Sequence, residues 1–181
     1  MDARYHFVST YRLAGDRTPV WLVLRDVEGW ARWWPGLERV ELVRAPAGPD
    51  EVGAVHHYTV RAPLGYRLVY ETEVTAIEPL RLVDATSSGE LVGRGRVALE
   101  SSGGDEVTVL VAWLVETPKR WMRTLAPIAR PVFAWNHRRL MQGYGIGLAS
   151  AADTRLLSAE HVALTPRDAG FWVMPEPAPL A

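Results

Sequence analysis

Alternation of apolar and polar residues governs most of the chain before residue 117. Residues 4–13 place Tyr5, Phe7, Tyr11 and Leu13 on one face, with His6, Thr10 and Arg12 on the other. That period of two marks a half-buried strand. Asp16-Arg17-Thr18-Pro19 then reads as a helix start, with Thr18 as N-cap and Pro19 at the first helical position. Val20, Leu24 and Val27 give this short helix an apolar stripe, flanked by Val23. Gly29 interrupts it, and Trp30–Trp34 forms a second short turn closed by Pro35-Gly36. Six alternating segments follow, at 37–44, 52–62, 66–77, 80–87, 91–100 and 107–116, punctuated by turns such as Pro63-Leu64-Gly65 and the hairpin loop 101–105. In the 66–77 segment Leu68, Tyr70, Thr72 and Val74 share a face, opposite Arg67, Glu71 and Glu73. The last strand sets Val109, Val111, Trp113 and Val115 together.

Beyond Thr117-Pro118 the apolar period lengthens to that of a helix. Trp121, Leu125, Phe133, Asn136, Leu140, Tyr144 and Leu148 recur at three- and four-residue steps, with a longer gap around Pro127 and Pro131. A proline lacks the N–H that a helix interior uses, so a bend or separate first turn is expected there, followed by a continuous helix from about 131 to 152. Residues 154–181 lose periodicity and end in a Pro-rich run. They are expected to be a tail beyond a domain spanning 1–153, either disordered or laid over the body by Phe171 and Trp172. The fold class is therefore α+β. A seven-stranded antiparallel sheet has two short helices after its first strand, and one long C-terminal helix covers its apolar face.

These residues carry a family resemblance. Pro19-Val20-Trp21, Asp26 to Trp30, and Trp33-Trp34-Pro35-Gly36-Leu37 resemble the opening of the START-like helix-grip superfamily. Gly89-Glu90-Leu91 to Arg96, Trp113, and Lys119 to Met122 form a second match to that superfamily, and Arg130 to His137 resembles the final-helix opening of its polyketide cyclase/dehydrase-like bacterial subgroup. Together they cover roughly residues 4–150. The resemblance implies a sheet curled around the long helix, leaving a cavity lined by Tyr58, Leu68, Tyr70, Thr72, Leu91, Val111 and Trp113 from the sheet. From the helix, Phe133, Asn136, Leu140 and Tyr144 would meet them. Gly93 and Gly95 fall on the same inward alternation as Leu91 and Val97, and either leave room for the helix or a ligand or mark a bend.

Composition narrows the chemistry. A chain of 181 residues with 48% hydrophobic residues can bury a core unaided, and the absence of cysteine removes disulfides, thiolate catalysis and Cys-ligated metals. The formal net charge of -1 supplies no overall basic field, so nucleic acid is not an expected partner. No apolar run is long enough to span a bilayer, and the N-terminus lacks a signal-peptide pattern. A cytoplasmic protein without integral membrane association is expected. The eight tryptophans are either a large aromatic core or pocket lining.

No catalytic pattern emerges. His56 and His57 are adjacent on a strand and point to opposite faces, so they do not chelate one metal, and no His-Glu-x-x-His exists. Glu71 and Glu73 share the wet face, where cross-strand pairing with Arg61 or Arg81 is expected. Gly143-Tyr144-Gly145-Ile146-Gly147 lies in a helical pattern and follows no strand, so it is no phosphate loop. Neither a metal nor a cofactor is expected. Polar groups on the inward alternation are His56, Tyr58, Tyr70, Thr72, Asp84 and Asn136, while Trp135 and His137 are expected to turn away from it, packing under the sheet rim or against the tail. Three readings follow. The first is binding of a small hydrophobic molecule, such as a lipid, isoprenoid or polyketide, in a carrier or sequestering role. The second is a polyketide aromatase/cyclase-type enzyme using cavity Tyr, His and Asn groups. The third is a partner-binding module presenting Trp30, Trp33 and Trp34.

Overall fold

A computed structural model describes residues 4–46, 48, 51–101, 105–116 and 120–164, with 4 and 120–130 described by backbone alone. The strands are β1 (Arg4–Ala14), β2 (Leu37–Arg44), β3 (Val55–Arg61), β4 (Arg67–Glu78), β5 (Leu82–Gly89), β6 (Val92–Ser101), β7 (Glu106–Glu116) and β8 (Leu156–Leu164). They form one antiparallel sheet in the order β2-β3-β4-β5-β6-β7-β1-β8. Six consecutive strands thus make the expected meander, and β1 closes onto β7 as Phe7 opposite Trp113 and Tyr11 opposite Val109.

Among the described residues the sheet has eight strands, one more than the alternation predicts. The chain turns at Asp153 and Thr154, then runs back along β1 as β8, where a tail is expected from 154. On the row opposite Tyr11, Ser9 and Phe7 it carries Ala159, His161 and Ala163. The two alanines on this edge strand are exposed and the histidine is half-buried, so an alternation of large apolar residues is missing and the strand does not announce itself. Residues 165–181, including Phe171 and Trp172, lie outside the described residues.

Helix α1 (Arg17–Arg25) begins two residues earlier than expected. Asp16, not Thr18, is its N-cap, its carboxylate accepting from the Thr18 amide at 2.8 Å. Val20, Trp21 and Leu24 are its buried side. A 3-10 helix (Val27–Arg32) follows and delivers Trp30, Trp33 and Trp34 to the core rather than to the surface. An exposed tryptophan cluster for a partner is therefore not formed. Helix α2 (Arg120–Ala151) is one 32-residue element that runs through Pro127 and Pro131, so the expected separate first turn is absent. The prolines remove donors without ending the helix.

What fastens α2 to the sheet is its last third. Tyr144 and Leu148 are fully buried, and the Tyr11 hydroxyl donates to the Met141 carbonyl at 2.8 Å. At roughly 1.5–3 kcal/mol for each fully buried large apolar side chain, these contacts outweigh any helix propensity. The glycines here serve close approach. A Cβ at Gly145 would overlap the Tyr11 ring, and one at Gly147 would overlap the Trp33 carbonyl. The Gly-x-Gly-x-Gly pattern is thus a packing surface on the helix, as its position in a helical period suggests.

The outer sheet face carries the ion pairs. Glu38 bridges Arg61 (2.5 Å) and Arg67 (2.6 Å), and Glu73 pairs with Arg44 at 2.7 Å. Glu71 meets His57 at 3.3 Å. The two glutamates are on the wet face as expected, but their partners are His57 and Arg44 rather than Arg61 or Arg81.

Candidate functional site

Register decides which side chains face the helix. Tyr70 stands opposite Tyr58 on β3 and Gly89 on β5, and Gly95 stands opposite Ala85 on β5 and Trp113 on β7. These positions share one face by the two-residue period. Gly95 lets Trp113 lie flat across β6, since a Cβ there would sit 3.2 Å from the indole. Between this face and α2 lie two chambers.

The first chamber encloses about 290 Å³. Its walls include Tyr58, Tyr70, Thr72, Val74, Val111 and Trp113 from the sheet, Trp30 and Trp34 from the 3-10 helix and the turn after it, and Met141 and Tyr144 from α2. Arg25, Asp26, Glu28 and Glu51 stand along one side of it, and an Arg25–Glu51 ion pair ties the end of α1 to the turn before β3. The second chamber encloses about 110 Å³, between Tyr5, Phe7, Tyr66, Leu68 and Leu91 on one side and Phe133, Asn136, His137 and Leu140 on the other. Trp34, Tyr70, Trp113 and Met141 border both chambers and form the waist between them. Tyr70 meets Trp113 edge-on at 6.0 Å and stacks on Tyr58 at 5.2 Å with planes 5° apart.

All eleven residues placed in the cavity by the resemblance border one chamber or both. Tyr58, Thr72, Val111 and Tyr144 belong to the first; Leu68, Leu91, Phe133, Asn136 and Leu140 to the second; Tyr70 and Trp113 to the waist. Asp84 does not reach the cavity. It sits one residue off the inward row of Ala85, and Arg96 holds it through two contacts of 2.6 and 2.5 Å. His137 departs from expectation in the other direction. Its ring lies on Phe7, centroids 4.0 Å apart and planes 14° from parallel, where it borders the second chamber. Trp135 is exposed on the far side of the helix rather than tucked under the sheet rim. Waist residues Trp34 and Met141 escaped the sequence reading. Trp34 lies in a turn with no period, and Met141 lies one position off the helix stripe through Leu140 and Tyr144.

The phenols and imidazoles in the chambers are shifted toward their neutral forms. Burial pushes the Tyr58 phenol up to about 12, against the opposing effect of its hydrogen bond with Thr72. Tyr70 and Tyr144 are also raised by burial, then by neighbouring phenols. His56 borders the first chamber, and burial lowers its pKa against the field of Glu28. His137 is pushed down to about 3 by burial and then by His161. Asn136 is occupied structurally: its Oδ1 accepts from the Leu64 amide at 3.3 Å and its Nδ2 donates to the Tyr66 hydroxyl at 3.2 Å. That ties the β3–β4 turn to α2. Among the described residues no group of three or more His, Asp or Glu side chains forms a metal-binding cluster. No described helix is long and apolar enough to cross a membrane.

Similar folds are known. An aromatase/cyclase from Streptomyces sp. R1128, Zhui, superposes with a TM-score of 0.68 over 83% of this chain and 94% of its own, at 17% identity. BexL, a di-domain ARO/CYC of the BE-7585A biosynthetic pathway, gives 0.61 over 83% of this chain and 50% of its own, at 18% identity. A START superfamily protein from Mycobacterium smegmatis gives 0.53 over 76% and 98%, at 18% identity. Identities this low establish the helix-grip fold alone. No curated protein matches the sequence. The family model described as "Polyketide cyclase / dehydrase and lipid transport" matches residues 17–143, more than half of the chain. By that match, and with a curved antiparallel sheet gripping a long C-terminal helix, the chain belongs to the polyketide cyclase/dehydrase and lipid transport family.

Proposed function

We propose that the protein binds one small hydrophobic molecule across the two chambers and carries or sequesters it. The observation that supports this best is the character of the inner walls. Aromatic and aliphatic side chains dominate them, and the phenols and imidazoles among them are shifted toward their neutral forms. Such a lining rewards apolar area and uses a few polar atoms for orientation. A chamber of about 290 Å³ joined at an aromatic waist to one of about 110 Å³ suits a compact, ring-bearing molecule better than a long acyl chain. The eleven lining residues would be its contacts.

A second reading is aromatase/cyclase-type chemistry, favoured by one feature. His56 lies in the first chamber beside Tyr58, ring centroids 6.5 Å apart, as a neutral base next to a neutral acid. The two readings separate in one experiment. Thermal unfolding with a panel of isoprenoids, polycyclic polyketides and fatty acids would be run on the wild type and on His56→Gln and Val111→Trp. Carriage predicts a ligand-dependent rise in Tm that survives His56→Gln and is lost when Val111→Trp fills the chamber. Turnover of a bound polyketide that stops in His56→Gln would instead establish the enzyme, and no stabilisation by any compound would count against both.

A further inference from the structure

The outward stripe of α2 has a composition that the cavity does not explain. Residues 117–152 contain Lys119, Arg120, Arg123, Arg130, Arg138 and Arg139 and no Asp or Glu; the next carboxylate is Asp153, past the helix end. The rest of the chain holds the balancing excess of carboxylates, so a net charge of -1 conceals a cationic helix. On the described part of that helix Val132, Trp135 and Ile146 are 43%, 52% and 64% exposed, and Arg138 and Arg139 are exposed beside them. Leu64, 49% exposed, is held next to the same turn because its amide bonds to Asn136. Eight surface arginines elsewhere are paired: Arg12, Arg25, Arg32, Arg39, Arg44, Arg61, Arg67 and Arg81 each have a carboxylate partner.

We propose that this stripe, around Val132, Trp135, Arg138 and Arg139, is a docking surface for an anionic lipid bilayer. The occupant follows from two complementarities. Guanidinium groups with no carboxylate on their own helix are matched by lipid phosphates, and the polybasic contribution adds up per cation near a charged surface. A half-exposed indole flanked by valine and arginine has the mixed character of the headgroup boundary, where aromatic rings and arginine stems bury while their polar ends stay wet. An acidic protein would use the arginines but gives no particular reason for Val132, Trp135 and Leu64 to be exposed beside them. The geometry also links the surface to the cavity. Val132 adjoins Phe133 and Trp135 adjoins Asn136, so neighbouring positions on the same turns face the bilayer and the second chamber. This goes beyond the ligand reading and stands without it.

The test is co-sedimentation of the full chain with vesicles of phosphatidylcholine alone or of equimolar phosphatidylcholine and phosphatidylglycerol. The protein is expected to pellet with the anionic vesicles, to stay in solution with the zwitterionic ones, and to be released by salt. Arg138→Gln with Arg139→Gln should weaken binding at least roughly tenfold, while Arg138→Lys with Arg139→Lys retains it. Trp135→Ala should weaken binding with an unchanged melting curve, which separates docking from folding. Absence of pelleting with either vesicle, or equal pelleting of the Gln variants and wild type, would overturn the proposal. So would binding to poly-glutamate without binding to vesicles, which would assign the face to an acidic protein.

Discussion

The two ends of α2 do different work. From Met141 onward the helix is chiefly a packing element, although Met141 and Tyr144 also wall the first chamber. Tyr144 and Leu148 are sealed, Tyr11 bonds the Met141 carbonyl, and Gly145 and Gly147 let β1 and the Trp33 backbone come into direct contact with the helix. From Pro131 to Leu140 the same helix borders a chamber on one side and exposes Trp135 on the other, and its link to the sheet side includes the Asn136 bonds. A grip fold needs both. One end must be immovable so that the other can border space without collapsing onto the sheet. Substitutions at the two ends should therefore differ in kind, stability at the C-terminal end and ligand or surface behaviour at the N-terminal end.

The largest effect should come from Gly147→Val. Its side chain meets a backbone carbonyl that cannot turn aside, so a loss of about 3 kcal/mol or more is expected in denaturant unfolding. Next is Asn136→Leu, which strands the Leu64 amide and removes the Tyr66 contact, at about 1–3 kcal/mol, with weaker stabilisation by ligand as well. A loss at Asn136 as large as that at Gly147 would erase the distinction between the two ends.

His137 supplies a pH-dependent test. Its pKa is depressed to about 3 in the fold, against an ordinary value near 6.5 in the unfolded chain. Between those values the unfolded state binds a proton that the folded state refuses. This contribution to stability is therefore intact above pH of about 6.5 and declines progressively as pH falls toward about 3. His137→Gln should flatten the decline in Tm over that window relative to wild type, and identical pH profiles would show that the ring is hydrated.

The smallest effect should be Tyr144→Phe. The Tyr144 hydroxyl is buried, with the residue 1% exposed, and has no hydrogen-bond partner among the described residues. Its removal should leave stability within about 1 kcal/mol of wild type, on the favourable side. A larger loss would reveal a partner for that hydroxyl and sharpen the account of the first chamber.

The meander was legible because its strands are wet on one face and apolar on the other, as in Leu68, Tyr70, Thr72 and Val74 against Arg67, Glu71 and Glu73. The cavity rows came from the family resemblance, which assigned the apolar faces of that alternation to the inside. β8 was hidden because its row opposite Tyr11, Ser9 and Phe7 carries Ala159, His161 and Ala163, where large apolar residues would have signalled a strand. The continuity of α2 was hidden by a local rule: Pro131 argues for a break, yet the helix continues through it. Asp84 misled because its alternation shifts at the irregular pairing between Val74 and Ala76, which puts it beside Arg96. Met141 lay beside the expected stripe rather than on it, and only packing makes it part of the waist. Register shifts and helix rotation are tertiary outcomes, fixed by contacts far apart in sequence.

The central claim is that the space between sheet and helix holds an apolar molecule. Native mass spectrometry of the protein purified from its own host tests it most directly. A discrete small-molecule adduct is expected on the wild type, extractable into organic solvent and missing from Val111→Trp. A bare polypeptide mass for folded wild type, or an adduct equally abundant on Val111→Trp, would contradict it.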